Sequence, residues 1–429
     1  MTYYRYPSPS EIEDIIRRPA KDAASLNATV AAVLDDVRMH GDEAVRRYEQ
    51  QFDHVTLTDL AVSEAEFLQA ESLVGDDLRK ALRLAHANIE KFHRAQRFSD
   101  LHVEVVPGVD CWQKSVPIQR VGLYIPGGTA PLFSTVLMLA TPARIAGCSE
   151  VVLCTPPRRD GTVHPAILVA ARMAGVSKVY KIGGVQAIGA MAYGTESVTK
   201  VYKIFGPGNQ YVTCAKQQVS LGDVAIDMPA GPSEVEVLAD HTADPVFVAA
   251  DLLSQAEHGA DSQVLLVTTS EALLHAVQRE VEQQLALLPR RDIAAQSLEH
   301  SRLVLVGNID EAMALTNRYA PEHLILESDD AQQWAQRVVN AGSVFVGHYT
   351  PESAGDYASG TNHTLPTKGY ATAYNGVNLD SFCRKITFQQ LTLEGIGAIG
   401  PAVMTMAQAE QLQAHSHAME VRVEKSVNV

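Results

Sequence analysis

The sequence predicts an α/β protein built from two tandem units, each with a parallel, doubly wound sheet. From Val116 onward, short apolar runs alternate with stretches of helical periodicity, which is the pattern of such sheets. The first runs each end in Gly or Pro, and the alternation starts again at Val235. We therefore expect two α/β units, with a boundary near the turn at 229–232.

The predicted elements follow this order along the chain. Residues 1 to about 100 are expected to be helical, because apolar residues such as Val30, Val33, Leu34 and Val37 recur at helical spacing among charged ones. Strands are predicted at 120–125, 151–154, 179–182, 201–205, 235–238, 263–268, 303–306, 324–327 and 343–346. Helices are predicted at 132–145, 271–287 and 331–340.

A long polar stretch, 350–376, follows the last strand of the second unit. A structureless loop of more than about 15 residues in a compact domain is usually functional. A strand at 386–391 and a helix at 399–414 are predicted beyond it, and His415 and His417 stand at the end of that helix.

Composition excludes several classes of function. The 429-residue chain has a net charge of −15, which argues against nucleic-acid binding because phosphates require a clustered basic surface. The most apolar run, 134–143, is far shorter than the ~18 residues that cross a bilayer. Five cysteines without a CxxC pair indicate reduced thiols, and Met1–Arg5 lacks a signal core. We expect a cytoplasmic protein that binds neither nucleic acid nor membranes.

Gln255 and His258 are the first candidate metal ligands. They lie near the end of a helix predicted to open at Asp244-Pro245, where Asp244 can cap the helix and Pro245 suits its first turn. Residues three apart share one helix face, so an amide oxygen and an imidazole nitrogen could hold one cation. The pair alone is equally consistent with a polar helix end that stops at Gly259.

Glu322 and His323 are the candidate acid–base pair. They follow Pro321 and precede an apolar strand. A carboxylate beside an imidazole suits proton transfer near neutral pH. The alternative is an ordinary polar strand start.

Two further groups could bind ligands. The turn 206–209, which ends at Asn209, follows a strand and precedes a helix, so its N–H groups could meet a phosphate. It lacks the GxGxxG pattern and an acidic ribose-binding residue at the usual distance, and a tight βα turn explains it equally well. Asp356, His363, Glu410 and His415, with Gln255 and His258, offer nitrogen and oxygen donors without a thiolate. This set suits zinc, with manganese or cobalt as rivals and His417 as a competing ligand.

Together these motifs resemble the histidinol dehydrogenase family. The matching stretches are VGLYIPGG (121–128), IFGPGN (204–209), DMPAGPSE (227–234), LSQAEHG (253–259), PEHL (321–324) and ESAGDYASGTNH (352–363). The resemblance implies oxidation of L-histidinol to L-histidine, the last step of histidine biosynthesis. It implies two NAD-dependent steps through L-histidinaldehyde and one zinc per site.

The resemblance also implies roles for individual residues. The implied zinc ligands are Gln255, His258, Asp356 and His415, and the implied acid–base pair is Glu322 and His323. These six residues are also implied to bind substrate, together with Ser233, His363 and Glu410, whereas NAD is implied to contact Tyr124, Gln186 and Asn209.

The implied architecture has two incomplete Rossmann-like units and forms a homodimer. Residues 1–23 form a helical arm, 24–123 and 235–377 a first α/β domain with the Glu/His pair and metal site, and 124–234 a second domain on the NAD side. Residues 378–429 form an extension that packs on the partner subunit and completes its active site. Two rival functions are a zinc hydrolase that uses Glu322 as its base and a binding protein without turnover.

Overall fold

The computed structural model describes residues 1–18, 23–127, 130–229 and 231–427, and the chain forms two compact units. The first unit comprises Met1–Gln96 and Ile118–Phe382, and the second comprises Arg97–Pro117 and Cys383–Val429. Residues 19–22 of the predicted arm, Gly128 of the predicted first turn and Ala230 of the predicted boundary turn lie outside the described residues.

The strands and helices among the described residues are as follows. The strands are β1 (Thr2–Arg5), β2 (Leu101–Val106), β3 (Val109–Pro117), β4 (Arg120–Tyr124), β5 (Glu150–Thr155), β6 (Lys178–Lys181), β7 (Lys203–Phe205), β8 (Ala225–Ile226), β9 (Glu234–Ala239), β10 (Gln263–Thr268), β11 (Arg302–Leu305), β12 (His323–Glu327), β13 (Ser343–Val346) and β14 (Cys383–Leu391). The helices are α1 (Pro9–Ile16), α2 (Ala23–Tyr48), α3 (Glu64–Leu73), α4 (Asp76–Ala95), α5 (Phe133–Ala146), α6 (Pro165–Ala174), α7 (Gly184–Tyr193), α8 (Gln210–Ser220), α9 (Pro245–Ala256), α10 (Glu271–Leu285), α11 (Arg291–Glu299), α12 (Ile309–Tyr319), α13 (Ala331–Ala335), α14 (Glu352–Tyr357), α15 (Leu393–Ala409) and α16 (Gln413–Val427).

The six-stranded sheet of the first unit has the order β1-β11-β10-β9-β12-β13, and its strands pair in parallel. Both of its faces are covered, which explains why its central strands are mostly apolar. Along β9, Val235 and Val237 pack with α9, α10 and α11, whereas Leu238 packs on the opposite face with α1, α12 and α13. This burial fixes the register of β9, because a shift of one residue would reverse the two faces.

The five-stranded sheet of the first unit has the order β6-β5-β4-β7-β8, again in parallel. Helices α2, α7 and α8 cover one face, and α3, α4, α5 and α6 cover the other. The chain runs from β4 to β5 on one side and later returns to β7 on the other side of β4. Such a reversal of strand order creates a crevice at the carboxyl ends of the strands, where ligands bind in this kind of sheet.

Glycine is required where the crevice narrows between β4 and β7. Gly206 has a φ of 121°, and a Cβ atom at this position would collide with the backbone carbonyl of Tyr124. Lys216 stabilises this turn. Its Nζ atom donates a hydrogen bond to the Gly206 carbonyl at 2.7 Å and forms an ion pair with the buried side chain of Asp227 at 2.5 Å. The turn 206–209 is therefore rigidly placed at the end of β7.

The predicted domain division does not agree with this packing. Helices α2 to α4 pack on the five-stranded sheet, and β4 is the central strand of that sheet, so residues 24–123 do not join 235–377. The helical arm is also wrong in part, because β1 pairs with β11 and α1 follows it. An N-terminal edge strand of four residues leaves little local signal, since its partner lies some 300 residues away.

The second unit contains an antiparallel sheet of order β14-β3-β2 and the two C-terminal helices. Stacking of Trp112 on Phe388, with centroids 5.3 Å apart, fastens β3 to β14. The extension predicted at 378–429 therefore begins at Cys383 and includes the hairpin of β2 and β3, which lies between the predicted helical region and the first predicted strand. The helix predicted at 399–414 is two helices, because Gln411 adopts a left-handed conformation with a φ of 62°.

Most other predicted elements are confirmed. The strands at 263–268 and 343–346 match to the residue, and α9 begins after Asp244, whose carboxylate accepts the Val246 N–H at 2.8 Å. The stretch 350–376 is not structureless, because it contains α14 and a 3₁₀ turn at Tyr370–Thr372. All five cysteines are thiols that are not joined in disulfide bonds. In the described ranges, every helix is too short or too polar to cross a bilayer.

Candidate functional site

An imidazole surrounded by carboxylates lies at the amino end of β12. Glu322 and His323 are both buried, and His323 opens the strand between β9 and β13. The Nδ1 atom of His323 lies 3.7 Å from Glu322 Oε2 and 3.7 Å from Glu352 Oε1, and its Nε2 atom lies 3.6 Å from Asp356 Oδ1. The structure thus brings the predicted acid–base pair together with the predicted ligand Asp356.

Glu322 is held by the start of the neighbouring strand. Its Oε2 atom accepts the backbone N–H of Glu234 at 2.9 Å, which fixes the carboxyl group beside the imidazole. Burial raises the pKa of Glu322 to about 8, the charge of His323 opposes this shift, and Glu234 and Glu352 add to it. Glu322 is therefore a weaker acid at this position than a carboxyl group in water.

His323 responds in the opposite way to the same surroundings. Burial disfavours the imidazolium, but the carboxylates of Glu352, Glu322 and Asp356 outweigh burial and raise the pKa of His323 to about 10. The backbone carbonyl of Glu234 lies 3.3 Å from Nδ1 and provides a further acceptor for a ring proton. The ring is thus prepared to hold a positive charge and is fixed in orientation.

His258, Glu352 and Asp356 form a group that could hold a metal ion. Their ligand atoms all lie within 4.8 Å of one another. Asp356 Oδ1, Glu352 Oε2 and His323 Nε2 are buried atoms without a hydrogen-bond partner among the described residues. Uncompensated buried oxygens and nitrogens are costly, and a bound cation would satisfy them. An imidazole with carboxylates is a donor set that zinc accepts, so the residues fit the metal.

Glu352 is a member of this cluster to which the sequence analysis assigned no role. It is the first residue of α14 and lies one helical turn before Asp356, so both carboxylates are on one face. That spacing of four residues is the signal that could have revealed it. Gln255, fully buried near the end of α9, reaches the cluster through Glu352: its amide nitrogen is placed to donate to Glu352 Oε1 and its oxygen to accept the Glu234 N–H at 3.1 Å.

His363 is close to the cluster but is engaged on both ring nitrogens. Nδ1 lies 2.9 Å from the Asp356 carbonyl, and Nε2 lies 3.0 Å from Thr135 Oγ1 of α5. This side chain therefore connects the helix that carries Asp356 to a helix on the five-stranded sheet. Burial opposes ionisation of Asp356, but the nearby imidazoles of His323 and then His363 outweigh burial and lower the pKa of Asp356.

A cavity of about 470 Å³ joins the two sheets. Ser233, His258 and Gly259 line it on the side of the six-stranded sheet, and Pro126, Gly208 and Asn209 line it on the side of the five-stranded sheet. Asn209 also caps α8, because its Oδ1 atom accepts the N–H groups of Tyr211 and Val212. The cavity thus brings the predicted substrate contact Ser233 and the predicted metal ligand His258 to the same space as the turn 206–209.

Comparison with known proteins shows which proteins are similar to this chain over nearly its full length. The family model of histidinol dehydrogenase matches residues 16–423. The histidinol dehydrogenase of Bacteroides thetaiotaomicron is 64% identical over 423 residues, covering 99% of each chain, and that of Xanthomonas axonopodis pv. citri is 56% identical over 412 residues, covering 96% of each. The crystal structure of histidinol dehydrogenase from Elizabethkingia anophelis is 53% identical and superimposes with a TM-score of 0.97, covering 100% of this chain and 99% of that one.

The chain belongs to the histidinol dehydrogenase family. Membership makes it an oxidoreductase of histidine biosynthesis that oxidises histidinol. The two rival functions, a zinc hydrolase and a binding protein without turnover, do not fit this family.

Two of the three NAD contacts expected from histidinol dehydrogenase are buried. The hydroxyl oxygen of Tyr124 accepts the Gly184 N–H at 3.1 Å, and the amide nitrogen of Gln186 donates to Glu49 at 2.8 Å. Both side chains lie at the carboxyl ends of β4 and β6 rather than in the lining of the 470 Å³ cavity, where Asn209 is found. Of the three expected NAD contacts, Asn209 is therefore the one that lines this cavity.

Glu410 and His415 belong to the second unit, where both are exposed. Glu410 lies at the end of α15 and His415 in the first turn of α16. The competing ligand His417 has its Nδ1 atom 3.1 Å from Glu420, so one of its ring nitrogens is occupied. This contact favours His415 over His417 as a ligand, although each ring has two nitrogens.

Proposed function

We propose that the chain oxidises L-histidinol to L-histidine in two NAD-dependent steps through L-histidinaldehyde, with one zinc ion in each site. The observation that carries the proposal is the buried pair Glu322 and His323, placed beside the donor group of His258, Glu352 and Asp356. Proton-transfer groups beside a cation-binding group are what the oxidation of a chelating amino alcohol requires.

In this proposal the metal is held by Gln255, His258 and Asp356, with His415 as the fourth ligand. When bound, zinc would supply a fixed point of attachment for the amine and imidazole nitrogens of the substrate. Neutralisation of Asp356 by the bound cation would remove one of the charges that raise the pKa of His323. The imidazole would then be free to accept a proton at neutral pH.

His323 is proposed to act as the base in both oxidation steps. It accepts the hydroxyl proton of the alcohol while hydride leaves the substrate carbon for NAD. After water adds to the aldehyde, it accepts a hydroxyl proton of the hydrate while the second hydride leaves. Glu322 is proposed to take a proton from the attacking water, and its fixed position against the Glu234 N–H suits it to that task.

NAD is proposed to reach this site from the five-stranded sheet. Asn209 and the turn 206–209 line the same cavity as Ser233 and His258, so a cofactor held at the sheet could present its nicotinamide to the substrate. Ser233, His363 and Glu410 remain the proposed additional substrate contacts, and Tyr124, Gln186 and Asn209 the proposed NAD contacts. Tyr124 and Gln186 would act from beneath the cofactor, because both are buried.

The proposed assembly is a homodimer in which residues of the second unit complete the site of the partner subunit. Helix α15 is apolar along most of its length, yet only Gly395, Gly400 and Ala407 are buried within this chain. Leu393 and Met406 are among its exposed side chains. An apolar helix with an open surface is what a subunit interface needs, and it supports the dimer.

The proposal is tested by measuring the stoichiometry of the reaction, that is, the NADH formed for each histidinol consumed. The purified protein, loaded with zinc, is incubated with histidinol and excess NAD, and NADH and amino-acid products are quantified. We expect two NADH for each histidinol consumed and histidine as the product. One NADH with accumulation of the aldehyde would reject the second step, and consumption of histidinol without NADH would reject NAD as the oxidant.

A further inference from the structure

A half-buried carboxylate, Asp53, lies at the carboxyl ends of β5 and β6. It ends the π-helical turn Glu49–Asp53, which follows α2 and belongs to neither sheet. A Cβ atom placed on Gly183 would lie 3.2 Å from Asp53 Oδ2 and 2.7 Å from the Cβ atom of Pro156. Gly183 follows β6 and Pro156 follows β5. Because Gly183 has no side chain, the Asp53 carboxylate can lie close to the carboxyl ends of these two strands.

Glu49 is the buried acidic neighbour of Asp53. One oxygen of Glu49 accepts the Gly183 N–H at 2.9 Å and the Gln186 amide at 2.8 Å, which leaves the other directed away from these donors. Burial, and then the charge of Asp53, raises the pKa of Glu49 to about 8. The other oxygen of Glu49 is buried and has no hydrogen-bond partner among the described residues, and burial also raises the pKa of Asp53. Asp53 is half-buried whereas Glu49 is fully buried, so Asp53 is the member of the pair that is better able to remain ionised.

A second observation shows that the local polar groups are not satisfied by the protein. Gln186 is fully buried, and its side-chain oxygen has no hydrogen-bond partner among the described residues. It lies in the first turn of α7, next to Gly184, whose N–H donates to the Tyr124 hydroxyl. Buried polar atoms without partners are uncommon and indicate a bound group or water.

The position of Asp53 has a chemical meaning in this sheet. Where the strand order reverses, as it does here between β4 and β7, a dinucleotide crosses the carboxyl ends of the strands, and an acidic residue about 20 residues beyond the glycine-rich turn binds the adenosine ribose. β5 is followed by Pro156 and Pro157, and the first acidic residue after them, Asp160, already accepts from Thr162 at 2.6 Å. The sheet itself therefore provides no free carboxylate at this place.

We propose that Asp53 binds the 2′-hydroxyl of the adenosine ribose of NAD and thereby excludes NADP, an inference that rests on the proposed use of NAD. The ribose hydroxyl donates to the carboxylate, whereas the 2′-phosphate of NADP would face its negative charge. The specificity residue thus comes from the N-terminal helical segment, which explains why the sequence shows no acidic residue at the usual spacing from a glycine-rich turn.

The test combines a change in the protein with a change in the cofactor. Wild type, Asp53→Asn and the control Asp59→Asn, an exposed residue six positions away, are each assayed with NAD, 2′-deoxy-NAD and NADP at saturating histidinol. For wild type and the control, we expect KM to rise roughly 10- to 100-fold when the 2′-hydroxyl is removed, the range for a lost hydrogen bond to a charged group. For Asp53→Asn, the KM for NAD should rise, the effect of removing the hydroxyl should nearly vanish, and NADP should bind better than to wild type.

Direct binding of the three cofactors by calorimetry is measured beside the kinetics, so that a folded but slow variant remains informative. If wild type distinguishes neither 2′-deoxy-NAD nor NADP from NAD, Asp53 does not set specificity. The same conclusion follows if Asp53→Asn keeps the full preference of the wild type. If wild type does not reduce NAD with histidinol at all, it is the proposed function that fails, and cofactor binding alone then decides the role of Asp53.

Discussion

At the residue scale, the central feature of the site is the His323 imidazole, which lies close to three carboxyl groups. His323 lies within 3.7 Å of Glu322, Glu352 and Asp356, and all four side chains are removed from most of the solvent. Burial raises the pKa of Glu322 and of Glu352 to about 8, the charge of His323 opposes this shift, and neighbouring carboxylates add to it. A divalent cation beside Asp356 would favour the ionised carboxylates, so proton and metal occupancy should be linked.

Loss of His258 should release the metal. His258→Asn removes an imidazole donor from the group of His258, Glu352 and Asp356, and we expect zinc affinity to fall by about 100-fold or more, with turnover lost in parallel. Zinc per chain is measured by atomic emission after dialysis against a weak chelator. His241→Asn, at an exposed histidine, should retain its zinc. Full zinc content in His258→Asn would show that the metal is held elsewhere.

At the scale of secondary-structure elements, the amino ends of β9 and β12 position the residues of the site. Glu234 begins β9 and His323 begins β12, and because the two strands are parallel neighbours, their amino ends lie side by side. The sequence predicts both strand starts, the cap of α9 and the residues Gln255, His258, Glu322, His323 and Asp356. It does not predict α14, since the six residues Glu352–Tyr357 are too few to show helical periodicity, and Glu352 was missed with them.

Strand pairings between segments that are distant in the chain also could not be predicted from the sequence. The pairing of β1 with β11 and of β3 with β14 joins residues more than 250 positions apart, and nothing local distinguishes those strands from helices. Glu49 and Asp53 read as ordinary charged helix residues. Only the packing of α2 on the five-stranded sheet brings them to the ends of β5 and β6.

Glu236 makes the stability of β9 dependent on pH. It is fully buried against the Thr316 hydroxyl, and burial raises its pKa from 4.5 to about 8. The folded pKa is higher than the unfolded one, so the contribution is complete below about pH 4.5 and is lost as the pH rises through about 8, at most ~1.4 kcal/mol per pH unit. Glu236→Gln should therefore gain stability relative to wild type as the pH rises, measured by urea unfolding.

The matched control for that series is Glu282→Gln, an exposed position on α10. Its stability relative to wild type should not change between about pH 5 and pH 8, because this side chain is in contact with solvent in both the folded and the unfolded chain. A difference between Glu236→Gln and wild type that stays constant with pH would contradict the assignment of a proton to Glu236.

At the scale of the whole molecule, the residues assigned to the proposed site belong to two different compact units. The first unit contains both parallel sheets, the cavity and the Glu322–His323 cluster, whereas Glu410 and His415 belong to the second. The exposed apolar surface of α15 supports a dimer in which each second unit serves the site of its partner. Activity would then require two chains even though each chain carries every residue of the site.

Mixing two inactive variants tests that arrangement. Glu322→Gln and His415→Asn are combined under conditions that allow subunits to exchange. If His415 acts in trans, one site of each heterodimer has an intact Glu322 and an intact His415, and random exchange should restore roughly a quarter of wild-type activity. If it acts in cis, every site keeps one defect. Absence of recovery, with exchange confirmed by mass spectrometry of differently tagged chains, would reject the trans assignment.

The roles of Glu322 and His323 are tested most directly by measuring the two half-reactions separately. Histidinol and histidinaldehyde are each supplied with NAD to wild type, Glu322→Gln and His323→Asn, and the rate of NADH formation is followed in single turnovers. Loss of a general base typically costs ~10² to 10⁴ in rate. His323→Asn should slow both oxidations by this order, whereas Glu322→Gln should slow oxidation of the aldehyde far more than that of the alcohol. If the rates of both oxidations fell only slightly and equally in both variants, the proposed roles of Glu322 and His323 at the amino end of β12 would be contradicted.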